Sequence, residues 1–161
     1  MSDPIEILER RLKAVLGRES TTQSLHFFCQ LGGFDDELGI ITLQVSGSGK
    51  VLLSWRTSPE DVELWSLQFT EEDYRQFIRL FLTYPYWNHA PPRRGRDDDE
   101  TNIHLRISAQ DVGTYQGAQF WSGDLEQNRM LRMLVTPLCK LIQNISRDTI
   151  SEAELGPLMH E

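Results

Sequence analysis

The sequence predicts an α+β fold. It is an antiparallel sheet of about six strands, a four-strand meander plus a hairpin, with helices packed mainly on one face and the order α-β-β-β-β-α-β-β-α. Three observations carry this reading. Short segments alternate apolar and polar residues with period two, three longer segments repeat apolar residues at helical spacing, and glycine- or serine-rich turns join the alternating segments directly to one another. Hairpin-joined strands broken by helices indicate an antiparallel sheet with helices segregated to one side, and the alternation predicts one face under the helices and one wetter face.

The first helix opens at Ser2 or Asp3, either of which can cap it, and Pro4 suits its first turn. Ile5, Leu8, Leu12, Val15 and Leu16 share one face, and Gly17 can end it. An amphipathic stripe of this kind serves either a partner or the chain's own core. The mixed charges on its polar face point to the core, since a membrane-surface helix favours a basic face.

"SLHFFCQLGGF" follows, with Leu25, Phe27, Cys29 and Leu31 alternating with His26, Phe28 and Gln30. Gly32 and Gly33 allow positive φ, so a turn or bulge is expected there. "GIITLQV" restarts the pattern with Ile41, Leu43 and Val45 on one face; "SGSG" at 46–49 is a hairpin turn, and "KVLLSWR" follows it. "DVELWSLQF" places Trp65, Leu67 and Phe69 on one face and completes the meander of residues 23–69.

The second helix lies in "TEEDYRQFIRLFLTYPYW". Thr70 is its cap and Asp73 takes the place of the capping-box acid. Glu71, Glu72 and Asp73 suit the positive end of the helix dipole. Tyr74, Phe77, Ile78 and Phe81 form its buried stripe, and Pro85 ends it. A proline- and charge-rich loop follows, mobile over 88–100. "TNIHLRI" then alternates Ile103, Leu105 and Ile107 with Asn102, His104 and Arg106; "AQDVG" turns and "TYQGAQFW" closes a second hairpin.

The last long helix begins near Ser122 to Leu125 and keeps Leu131, Leu134, Leu138, Leu141, Ile142 and Ile145 on one face. Pro137 removes one backbone bond and is expected to kink or split it, with Thr136 capping the second piece. Residues 148–161 form a short C-terminal helix or tail, with Ser151 and Glu154 as a capping box and Gly156-Pro157 as the stop. No internal repeat is visible, and residues 1–161 read as one domain of ordinary size.

Composition narrows the function. The chain is 39% hydrophobic and 25% charged, which is globular rather than disordered. Its 24 acids against 16 bases give a net charge of −8, and the bases are scattered, so nucleic acid and anionic membranes are not the expected partners. No apolar run reaches the roughly 20 residues of a membrane span, and the N-terminal residues lack the uninterrupted apolar core of a signal peptide. Cys29 and Cys139 read as two buried, reduced thiols, which suggests a cytoplasmic location.

Motifs for chemistry are scarce. "SGSGK" is not a phosphate loop: Lys50 precedes Val51 rather than serine or threonine, and strands flank the turn where a helix N-terminus is needed. No serine sits in a nucleophile elbow. Asp97, Asp98, Asp99 and Glu100 lack the spacing of a calcium loop, and His26, His89, His104 and His160 lack that of a zinc site. Neither metal nor cofactor is expected. A stronger candidate is "YPYWNH": Tyr84, Tyr86, Trp87 and His89 lie beside the charged loop, and Trp and Tyr are enriched where proteins bind one another. The competing reading is that these rings cover the end of the sheet.

The element order, small size and acidity resemble the bacterial type III secretion chaperones, although this chain has one strand more before its second helix. "LGGFDDELGIITLQV", with a later acid-rich loop and strand, is similar to the small bacterial emfourin-type metalloprotease inhibitors, which share the GGF start. Neither likeness covers a motif from which residue roles carry over. The expectation is a bacterial-type, non-enzymatic binding protein, chaperone-, inhibitor- or immunity-like, whose partner is another protein or a second copy of itself. The alternative is a small hydrolase with a site on the polar strand face around Asp97 to His104.

Overall fold

The structure, a computed structural model, describes residues 3–18, 24–33, 36–90 and 92–159. Ser2 and His160, both named above, lie outside them, as do Phe34 of the "GGF" stretch and Pro91 of the charged loop. Six strands form one antiparallel sheet: β1 (Leu25–Gly32), β2 (Ile40–Ser46), β3 (Lys50–Arg56), β4 (Val62–Gln68), β5 (Asn102–Ala109) and β6 (Thr114–Trp121). Their spatial order is β4-β3-β2-β1-β5-β6. The meander and the hairpin are therefore joined at β1, where Cys29 faces Leu43 on one side and Leu105 on the other. The helices are α1 (Pro4–Leu16), α2 (Glu71–Thr83), α3 (Arg129–Ile145) and the short α4 (Glu152–Leu155). The expected fold class and element order are those observed.

One face of the sheet makes the core. Leu25, Phe27, Cys29 and Leu31 of β1 pair with Ile41, Leu43 and Val45 of β2 and with Ile103, Leu105, Ile107 and Ala109 of β5, and all are buried. Leu8 and Leu12 of α1, Tyr74, Phe77, Ile78 and Phe81 of α2, and Leu131, Leu134, Leu138 and Ile142 of α3 close over it. Phe27 is the centre of an aromatic cluster, with ring centroids 5.0 Å from Phe77 and 5.4 Å from Phe81.

Local signals account for most boundaries. Asp3 caps α1 by accepting from the Ile5 N–H at 2.9 Å. Thr70 and Asp73 form the reciprocal capping box on α2, and Ser151 with Glu154 forms one on α4. Gly32 takes φ +87°, as the expected break in β1 requires.

Two elements differ from expectation. Residues Ser122–Glu126 form a 3-10 turn, and α3 starts only at Arg129, capped by Asn128. The helix then runs unbroken through Pro137 to Ile145. The carbonyl that Pro137 leaves without its helical donor belongs to Met133, an exposed residue.

Within the charged loop, residues 94–100 carry an ion-pair cluster. Arg94 donates to both oxygens of Glu100, at 2.5 and 2.6 Å, and to Asp124 at 3.1 Å. Glu100 also accepts from the backbone N–H of Asp97 and of Gly123. Arg96 donates to the Glu100 carbonyl, and the Trp121 indole N–H donates to the Arg94 carbonyl. Opposite charges six residues apart make this local closure possible, which a count of acids alone does not reveal.

Candidate functional site

The four candidates in "YPYWNH" separate. Tyr86 and Trp87 sit in a 3-10 turn, Tyr86–Asn88, and both are buried. The Tyr86 hydroxyl donates to the Gln116 carbonyl at 2.6 Å, and the Trp87 indole N–H donates to Glu9 at 2.8 Å. Their rings stack edge-on to each other, 5.2 Å apart, and Tyr86 reaches Phe81 at 6.2 Å. Tyr84 is half-buried against the core, and half-buried His89 contacts Asn128 and Met130. Tyr86 and Trp87 are therefore packing residues that tie the turn to α1 and β6. They do not stand at an exposed edge, because the sheet end offers both apolar cover and a polar partner for each ring.

The residues named for a hydrolase are likewise dispersed in role. The Glu100 carboxyl is held down to about 2, first by the Arg94 guanidinium and then, against the cost of burial, by the Asp97 and Gly123 N–H groups. Among the described residues no three of His, Cys, Asp and Glu gather where they could hold a metal ion. Cys29 and Cys139 are both buried, and desolvation pushes the Cys29 thiol up to about 12. No described helix is long and apolar enough to cross a membrane.

His104 lies elsewhere, on the sheet face opposite the core. Residues paired across strands share a face. The register therefore gives this face as Val62, Leu64, Ser66 and Gln68 of β4, and Lys50, Leu52, Ser54 and Arg56 of β3. It continues with Ile40, Thr42, Gln44 and Ser46 of β2, and His26, Phe28, Gln30 and Gly32 of β1. Asn102, His104, Arg106 and Ser108 of β5 and Tyr115, Gly117, Gln119 and Trp121 of β6 complete it. The helices pack on the opposite face. Leu64 is 75% exposed, Tyr115 65% and Leu52 43%, so apolar side chains meet water at both ends of this surface. Leu52, Leu64 and Trp65 help to line a shallow groove of about 410 Å³.

The charges here are unlike those of the whole chain. No aspartate or glutamate occupies any of these positions, whereas Lys50, Arg56 and Arg106 do. Arg106 is in none of the ion pairs among the described residues. Its guanidinium carbon lies 4.9 Å from the Phe28 ring centre, and His104 meets that ring edge-on at 5.6 Å. Burial, and then the charge of Arg106, lowers the His104 pKa, which favours the neutral imidazole. Gly117 stands opposite Arg106 in the β5–β6 register.

Alternation in the sequence already placed His104 with Arg106, and His26 with Phe28. The missing part was which strands are neighbours. Arg106, Phe28 and Gly117 come from three strands that only the closed sheet brings into one row. Compared with known proteins, the sequence matches no protein-family model and no curated protein.

Proposed function

We propose that the protein is a non-enzymatic binding module that docks another protein on the open face of its sheet. The observation that carries this reading is the face that no described helix covers, with Leu52, Leu64 and Tyr115 exposed on a sheet whose other face holds the core. At the β3–β4 end, Leu52 and Leu64 line one shallow groove among polar residues, the kind of apolar patch that interaction sites use. Threonine, serine and glutamine side chains between the apolar ones supply donors and acceptors of the kind a wet interface uses. The hydrolase reading has less behind it: Glu100 is occupied by Arg94, and His104 is engaged with Phe28.

The test replaces Leu52 and Leu64 together by aspartate. Leu64 is 75% exposed and Leu52 43%, so stability is expected to change by no more than about 0.5 kcal/mol at Leu64 and by about 1 kcal/mol at Leu52. Capture from the native cell is compared for the two proteins by quantitative mass spectrometry. A stoichiometric partner held by the wild type and lost by the folded double variant is the expected result. A partner retained by both, or turnover of a substrate that depends on His104, would remove the reading.

A further inference from the structure

We infer that the open face carries a seat for a carboxylate, in the notch over Gly117 between Arg106 and His104, and that the docked protein presents an acidic segment to it. The inference rests on the reading of this face as the docking surface.

Three observations converge. The first is charge. A chain with 24 acids places none on this face, yet puts three permanent cations there. Acids on the helical side are a layer of core away, and charges separated by more than about 8–10 Å are largely screened at physiological salt. Local sign therefore decides what docks, and at the seat it is set by Arg106, with Lys50 and Arg56 three strands away on β3 keeping the rest of the face positive. It also argues against two copies meeting face to face, since the Lys50, Arg56 and Arg106 of one copy would meet cations and no acid on the other.

The second observation is preorganisation. The cation–π contact with Phe28 restrains the exposed Arg106 guanidinium, whose N–H groups can grip a carboxylate in bidentate fashion. The ordering entropy of a long side chain is thus reduced before the partner arrives.

The third is space. Gly117 is a strand-interior glycine with ordinary backbone, and nothing crowds it. A Cβ added there would meet its nearest neighbours, the Leu105 carbonyl, Arg106 Cγ and His104 Nε2, at 3.8 to 3.9 Å. Neither strain nor close packing demands glycine. Its absent side chain leaves a notch walled by Arg106 and His104 and flanked along β6 by Tyr115 and Gln119.

The experiment uses the full chain, isotope-labelled, and follows the Gly117 amide and the Arg106 Nε–H by NMR. The probe is an acetylated and amidated synthetic peptide in which Glu alternates with Leu and Thr. Its controls are the same peptide with Gln for Glu and an oligothymidylate. The expected result is saturable shifts at Gly117 and Arg106 with the Glu peptide and at least tenfold weaker binding by the Gln peptide. Arg106→Gln and Gly117→Val should each weaken the Glu peptide tenfold or more. Gly117→Val is also expected to keep or raise the melting temperature, since a β-branched residue suits a strand better than glycine. Loss of binding in a more stable protein is not what a purely structural glycine would give.

Equal shifts from the Glu and Gln peptides, spread over Phe28, Leu52 and Leu64, would overturn the carboxylate seat and leave the open face as a docking surface. Stronger shifts with the oligothymidylate would overturn it in favour of phosphate. No shift from any probe, with capture unchanged in the Leu52→Asp/Leu64→Asp protein, would remove both readings.

Discussion

At the scale of single residues, burial and a hydrogen-bond partner separate packing from presentation. Trp87 is 8% exposed, touches Tyr86 and donates to Glu9 on α1. Trp87→Ala is expected to cost about 3–5 kcal/mol of folding stability, the usual range for deleting a buried indole, read from urea denaturation. A change under about 1 kcal/mol would return the ring to the surface and the "YPYW" segment to the list of binding sites. Glu100 has a different signature. Its carboxyl is held at about 2 against an ordinary 4.5, chiefly by Arg94. A depressed folded pKa contributes stability above the unfolded value and loses it as the pH falls through the folded one. The stability difference between wild type and Glu100→Gln is therefore expected to be full above about pH 4.5 and to shrink toward about pH 2. A difference independent of pH across that window would show that the ion-pair cluster does not hold the loop.

At the scale of elements, α3 shows how tertiary packing overrides a local rule. Proline in a helix interior costs about 3 kcal/mol relative to alanine, enough to split an isolated helix. Here the helix buries Leu131, Leu134, Leu138, Cys139 and Ile142 on one side, and that packing outweighs the single lost hydrogen bond. Pro137 itself is half-buried, beside Leu141 in a groove shared with Phe69 and Phe77. Pro137→Ala is expected to restore the bond to Met133 and raise stability by about 1–3 kcal/mol, less whatever contact the ring makes in that groove. Thermal melts followed by circular dichroism read this directly, and a lower melting temperature would assign the proline a packing role. The hairpin β5–β6 makes the complementary point. Its alternation was legible, but its place beside β1 was not, because nothing local to Asn102–Ala109 names its neighbour.

At the scale of the whole molecule, one core crosses every major element, from Leu8 of α1 through the sheet to Leu155 of α4. Such a core is expected to unfold in one step. Far-ultraviolet circular dichroism reports all elements, while tryptophan fluorescence reports Trp55, Trp65, Trp87 and Trp121, which lie on β3, β4, the 3-10 turn and β6. The two urea transitions are expected to coincide. Separate midpoints would divide residues 1–161 into more than one cooperative unit.

The sequence by itself determined the class of fold, the number and order of strands, the caps of α1, α2 and α4, and the inward-facing residues of β1, β2 and β5. These follow from periodicities of two and 3.6 and from local hydrogen bonds, which need no distant partner. Tertiary structure alone decided three things: that Tyr86 and Trp87 fill the sheet end, that Arg94 and Glu100 close the charged loop, and that Phe28, Arg106 and Gly117 share one row of an acid-free face. The first and third join residues that the chain keeps apart until strand pairing or side-chain packing selects their neighbours, and the second selects one local pair among many nearby charges. Alternation specifies a face for every strand but not the strand beside it, so a site composed across β1, β5 and β6 exists only once the sheet has closed.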